Sequence, residues 1–292
     1  MRHDYAYIYD NVITATKTTL TSKKQIKFST RFLRLILLQK RIYCANIVGD
    51  FSADIFFGEQ EMIIKGLQKL TLLDYPGKCA CTVFTFGCNL RCPFCHNASL
   101  VIKKQGDDGI ITEEDFFKFL DGRKGLLDGV AITGGEPLLQ PDLRDFIIKI
   151  KEKGFSVKLD TNGTSPEKLK ALIDENLLDY VAMDIKNSFQ KYPQTVGITC
   201  FDVTPVKESI KILLEDKVDY EFRTTVCKEL FNLEDFDEIA KAINGAKRYF
   251  LQAFIDSGDI LNGAFTAPEK ACMNTYSNRL EKTLHNVRIR GI

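Results

Sequence analysis

From Ala80 onward, short apolar runs alternate with amphipathic stretches. Runs of five to seven residues at Ala80 to Phe86, Gly129 to Thr133, Ser156 to Asp160, Tyr180 to Asp184, Tyr220 to Val226 and Arg248 to Ala253 predict β-strands. Between them apolar positions recur every three or four residues. That periodicity predicts helices over Glu113 to Leu120, Leu143 to Lys153, Pro166 to Asn176, Pro205 to Lys217 and Leu233 to Asn244. Thr112, Ser165 and Thr204 stand where N-caps belong, the last two followed by proline, and Asp142 precedes the second helix.

Strands that alternate with helices of about ten residues imply right-handed crossovers and a mainly parallel sheet. Six such units fit an incomplete (β/α)6 TIM-like barrel; the pattern alone also allows an open doubly wound sheet. Cys88, Gly134, Asp160, Asp184 and Arg223 fall at or beyond the C-terminal ends of the strands, where parallel α/β folds assemble their sites. The last apolar alternation, Val287 to Arg290, reads as an edge strand or a tail.

The densest chemistry follows the first of these strands. In Phe86-Gly87-Cys88-Asn89-Leu90-Arg91-Cys92-Pro93-Phe94-Cys95-His96-Asn97, intervals of three and then two residues let one loop aim three thiols at a common centre. A closed structural zinc site or an ordinary [4Fe–4S] cluster takes four protein ligands. Three cysteines therefore favour iron–sulfur ligation with a fourth coordination position left open. His96 is too close to Cys95 in sequence to complete the same tetrahedron comfortably, and zinc is the alternative metal.

This run is similar to the cluster loop of the radical S-adenosylmethionine enzymes. Gly134-Gly135-Glu136-Pro137, Asp160-Thr161-Asn162-Gly163 and Met183-Asp184-Ile185-Lys186 resemble that family's later motifs in the same order. The resemblance covers about residues 62–292 and lies nearest the activating enzymes of anaerobic ribonucleoside-triphosphate reductase. It implies a (β/α)6 barrel, a [4Fe–4S] cluster on Cys88, Cys92 and Cys95, and S-adenosylmethionine on the open iron. Phe94 would lie near the adenine, and Gly134 and Gly135 would receive the methionyl amino group. Glu136 would bind there or brace the turn. Asp160, Asn162 and Asp184 would border the cofactor pocket, the two aspartates beside a candidate monovalent cation. Lys186 would face the cofactor carboxylate or the substrate.

The implied reaction is reductive cleavage of S-adenosylmethionine, followed by removal of a Cα hydrogen from a glycine of the reductase. The implied partners are that reductase, or another glycyl-radical protein, and a flavodoxin- or ferredoxin-like electron donor. No cysteine-rich insertion follows Cys95, so no ferredoxin-like module is expected. A radical enzyme acting on a small molecule and a noncatalytic iron–sulfur interaction protein are the rival readings.

Each motif also has a plainer reading. A Gly-Gly or Asn-Gly pair is an ordinary turn signal. Lys186 is a solvent-facing lysine in that reading, and Arg223 forms an ion pair with Glu221 or a strand-end acid instead of holding a ligand carboxylate. His96 and Asn97 order the cluster loop rather than act as bases.

Composition narrows the rest. In 292 residues, 45% hydrophobic and 27% charged with a formal charge of +1, bulk charge gives no sign of nucleic-acid binding, and there is no phosphate-loop or dinucleotide motif. The six cysteines outside the loop, among nine in all, form no second cluster motif. Their usage suits a reducing, oxygen-poor cytoplasm. No run reaches the roughly 18 apolar residues of a membrane span. Residues 1–61 carry a basic-then-apolar order around Lys23 to Leu38 and no family motif. They are expected to be a weakly ordered extension from an upstream translation start, with an amphipathic arm as the alternative, and 62–292 to be the catalytic domain.

Overall fold

The computed structural model describes residues 62–102 and 109–292. The expectations for residues 1–61 lie outside the described residues. Eight strands form one sheet in strictly sequential order. They are β1 (Ile64–Thr71), β2 (Ala80–Thr85), β3 (Gly129–Gly134), β4 (Ser156–Thr161), β5 (Tyr180–Asp184), β6 (Asp219–Val226), β7 (Tyr249–Ala253) and β8 (Val287–Arg290). From β2 to β8 every pairing is parallel, and β1 runs antiparallel to β2. The helices are α1 (Glu113–Asp121), α2 (Leu143–Glu152), α3 (Pro166–Asp174), α4 (Tyr192–Val196), α5 (Thr204–Leu214), α6 (Leu233–Ala242) and α7 (Lys270–Leu280). The architecture is thus the open, mostly parallel sheet with flanking helices that the alternating pattern predicts, a partial (β/α) barrel.

Strand parity divides the interior in two. One face of the strands, with Val83, Ile132, Leu159, Met183, Phe222 and Leu251, is fully buried in the main hydrophobic core with Phe116, Phe146, Ile210 and Phe236 of the helices. The opposite face looks into the barrel and is largely polar: Thr82, Asp160, Asp184, Arg223, Thr225 and Gln252 border its cavity. At the N-terminal end of the strands a separate small cluster of Tyr75, Ala80, Tyr180 and Ala182 fills the interior. The tilted pair of Tyr75 and Tyr180 rings, 6.2 Å between centroids, sits within it.

The last strand is tied in by charge. Glu221 on β6 is 1% exposed. Its carboxylate accepts from Arg290 Nη1 at 2.9 Å and Nη2 at 3.1 Å, and from the Tyr180 hydroxyl at 2.9 Å. The Arg290 guanidinium also lies 3.4 Å from the Phe250 ring centroid. Arg290→Ala leaves this buried carboxylate with Tyr180 alone and is expected to cost about 2–3 kcal/mol, read by chemical denaturation. An unchanged midpoint would mean that β8 is held by its backbone ladder only.

Helix starts differ in part from the sequence expectation. Thr112 caps α1, its hydroxyl accepting from the Asp115 N–H. Ser165 precedes α3 without a side-chain cap. Thr204 is already the first residue of α5, and its N–H donates to the Asp202 carboxylate at 2.9 Å. Asp142 makes no cap to α2 because its carboxylate accepts the Met62 N–H, 80 residues away in sequence. Asn232, a cap the pattern did not single out, forms a complete capping box with Asp235 at the start of α6.

Candidate functional site

A cavity of about 300 Å³ opens at the C-terminal ends of the strands. That is the low end of the range for small-ligand pockets. It is bordered by Cys88, Cys92, Phe94, Cys95, Gly134, Gly135, Glu136, Asp160, Asn162, Asp184, Lys186 and Arg223, so the candidate cluster and cofactor residues come to one place. Gln68, Asp74, Thr82 and Phe84 from the β1–β2 hairpin complete the wall and were not anticipated. Asp74 is fixed there by the Thr82 hydroxyl, which donates to it at 2.6 Å.

The cysteine loop leaves β2 and is held from three sides. Arg91 N–H donates to Val196 O at 2.9 Å at the end of α4. The segment after β7 grips the other flank: Leu261 N–H donates to Cys95 O, Asn262 N–H to Pro93 O, and the Ser257 hydroxyl to His96 O. Asp259 receives the N–H groups of Ala98 and Ser99 on its carbonyl and carboxylate oxygens. Phe94 packs edge-on against Phe265 at 6.1 Å.

The third side is the glycine turn after β3, and here the backbones touch. Gly135 N–H donates to Thr85 O at 3.1 Å and Glu136 N–H to Gly87 O at 2.8 Å. An ammonium group has only donors, so what this stretch can offer one is its carbonyl oxygens. A Cβ on Gly135 would lie 2.0 Å from Gly87 O. Gly135→Ala must therefore push the turn off the cysteine loop, at an expected cost of about 2–3 kcal/mol. Gly154→Ala has open space and only its φ of +90° to strain, and should cost about 1 kcal/mol. Equal denaturation midpoints for the two variants would contradict this contact.

The Glu136 carboxylate is engaged on both oxygens by neighbouring protein groups. Its Oε1 accepts from the Thr161 hydroxyl at 2.8 Å and from Leu138 N–H at 3.2 Å, and its Oε2 from Asn162 N–H at 2.6 Å. It clamps the glycine turn to the end of β4. Burial pushes its pKa up to about 7 against the pull of those three donors.

A charged ladder crosses the cavity wall. Lys158, 2% exposed, pairs with Asp160. Arg223 Nη1 donates to Asp160 at 3.1 Å and its Nε to Asp184 at 2.9 Å, while Lys186 Nζ reaches Asp184 at 2.9 Å. Burial alone would raise both aspartates, but the charges of Arg223 with Lys158 and Lys186 outweigh it and hold both carboxyls below the usual range. Burial would likewise lower Lys186 and Arg223, and the same carboxylates keep them protonated. Arg223 thus pairs with two strand-end acids, and Glu221 goes to Arg290 instead. Three cations face two carboxylates, so the ladder carries a net charge of +1. Lys158 had a readable signal: a lysine inside an apolar strand, two residues before Asp160 and so on the same face.

Burial pushes the pKa of the Cys88 thiol up to about 11 and that of Cys92 up to about 12. Coordinated iron removes that cost by deprotonating the thiol. Among the described residues, no three His, Cys, Asp or Glu side chains are gathered tightly enough to hold a single metal ion. A cluster that brings its own sulfides takes one cysteine per iron, and Cys88, Cys92 and Cys95 all line the one cavity.

The sequence matches the model of the Radical SAM superfamily over residues 82–243. It is 35% identical over 241 residues to a Methanocaldococcus jannaschii protein provisionally assigned as a glycyl-radical enzyme activating enzyme, covering 79% of this chain and 96% of that one. It is 34% identical over 129 residues to the pyruvate formate-lyase-activating enzyme of Clostridium pasteurianum, covering 42% of this chain and 52% of that enzyme. The fold matches Streptococcus suis SuiB bound to precursor peptide SuiA with a TM-score of 0.57 at 14% identity, covering 70% of this chain and 47% of that one. The chain belongs to the radical SAM superfamily and, within it, to the glycyl-radical-activase-like enzymes. That membership implies a [4Fe–4S] cluster and S-adenosylmethionine. Among the described residues no helix is long and apolar enough to cross a membrane.

Proposed function

We propose that this protein activates a glycyl-radical enzyme, with anaerobic ribonucleoside-triphosphate reductase as its partner and residues 62–292 as the catalytic domain. The observation that carries the reading is the convergence of three thiols, the glycine turn and the charged ladder on one cavity at the barrel mouth. Cys88, Cys92 and Cys95 would hold the cluster. Carbonyls of the Gly134-Gly135 turn would take the methionyl amino group, and Lys186, the lysine at the Asp184 end of the ladder, the carboxylate. Phe94 would close the side where the adenine sits. When bound, these groups supply a carbon-centred radical able to remove a Cα hydrogen from glycine. The chain itself orients the reactants and keeps water from them.

The support from comparison is the relative provisionally assigned to this activity, almost all of which the chain covers. The test is anaerobic reconstitution, reduction by a one-electron donor such as a flavodoxin, and electron paramagnetic resonance with the reductase added. A glycine-centred doublet that requires this protein and S-adenosylmethionine is expected. Cofactor cleavage without a doublet in the reductase, but with one in another glycyl-radical protein, would reassign the partner. Cleavage with no protein radical in any of them would favour a small-molecule substrate.

A further inference from the structure

Asn162, in the turn after β4, has all its polar side-chain atoms committed to neighbouring protein groups. Thr164 donates to its Oδ1 twice, from the backbone N–H at 3.0 Å and from the hydroxyl at 2.7 Å. A backbone N–H can only donate, so Oδ1 is fixed as the acceptor and the NH2 must face the other way. There it donates to Asn89 Oδ1 at 3.0 Å and reaches Cys88 Sγ at 3.9 Å. Both lone-pair directions and both amide hydrogens are then in use. From behind, Glu136 holds the Asn162 N–H at 2.6 Å. The same sulfur receives a second donor, the Leu90 N–H at 3.4 Å.

We infer that Asn162 acts on Cys88 rather than on a bound cofactor, its amide N–H raising the reduction potential of the cluster that this thiolate would hold. The inference rests on the proposed reading of Cys88 as a cluster ligand. One-electron reduction adds negative charge that the cysteinyl sulfur shares. An N–H donor aimed at that sulfur stabilises the reduced state more than the oxidised one. Asn162 is therefore a positioning residue. Glu136 and Thr164 determine where it stands and which way its amide points, so the glycine turn and the β4 turn both reach the cluster through it.

The experiment is a potentiometric titration followed by electron paramagnetic resonance on the full chain reconstituted with iron and sulfide, comparing the parent with Asn162→Ala and Asn162→Asp. Both variants should keep their iron and sulfide, a readout a purely structural role would disturb, and both midpoints should move to more negative potential. The expected shift for Asn162→Ala is tenfold in the one-electron equilibrium, about 59 mV. Asn162→Asp keeps the Thr164 bonds and replaces the donor with an acceptor, so its shift should be larger. Unchanged midpoints in both variants overturn the inference, as does loss of the cluster from both, which would make Asn162 a structural residue. Retention of the cluster in Cys88→Ala is a separate result and would sink the ligand reading beneath it.

Discussion

Replacing Cys88, Cys92 or Cys95 with alanine is expected to remove the iron–sulfur cluster and, with it, cleavage of S-adenosylmethionine. The three thiols hang on one loop held by hydrogen bonds from α4, the glycine turn and the segment after β7. The loop has little freedom to bring in a substitute, and Cys79, Cys81 and Cys227 do not border the cavity. Loss of groups that merely orient a ligand typically weakens metal binding about 10–100-fold, so loss of a ligand itself should exceed about 100-fold. Iron and sulfide per chain after anaerobic reconstitution measure this directly. Cys200→Ala and Cys272→Ala, at exposed positions, should retain full content. Full content in all three loop variants would refute the assignment. Loss in Cys200→Ala without unfolding would show a wrong ligand set.

The contrast between those two groups of cysteines was legible in the sequence, because the loop spacing and the strand before it are both local. The six barrel strands were legible for the same reason: each is a short apolar run closed by a turn. β1 was not, since Ile64–Thr71 carries Lys65, Gln68 and Lys69 and, apart from a single bridge to Ile111, pairs only with β2, antiparallel. α7 was missed because Lys270–Leu280 buries only Met273, Ser277 and Leu280 and so shows a weak stripe. What sequence could not rank was the use of each polar side chain. Glu136 and Asn162 stand 26 residues apart, and only the closing of the sheet turns one into the clamp for the other. Likewise Arg223 had Glu221 as its nearest acid in sequence, yet the barrel sets Asp160 and Asp184 beside it.

Arg223 is the residue whose loss should most weaken the fold at this site. Its side chain is 13% exposed, and its guanidinium joins β6 to β4 and β5 and is the only group in the ladder that touches both carboxylates. Arg223→Met keeps much of the stem but leaves Asp160 to Lys158 and Asp184 to Lys186. Breaking a buried pair by removing one partner typically costs about 3–5 kcal/mol, because the surviving charge stays desolvated. Each acid here keeps one lysine, so the low end of that range, about 3 kcal/mol, is expected, read from urea denaturation of the protein without its cluster. Arg223→Lys should fall between parent and Arg223→Met, since an ammonium cannot bridge two acids with the fixed fork of a guanidinium. Arg223→Met and Asp184→Asn each delete the same Arg223–Asp184 pair, so the double variant should lose less than the two single losses added together. An Arg223→Met variant within about 1 kcal/mol of the parent would mean that water already screens the ladder as it does a surface pair. Arg223 would then be free to turn its guanidinium to a ligand in the cavity.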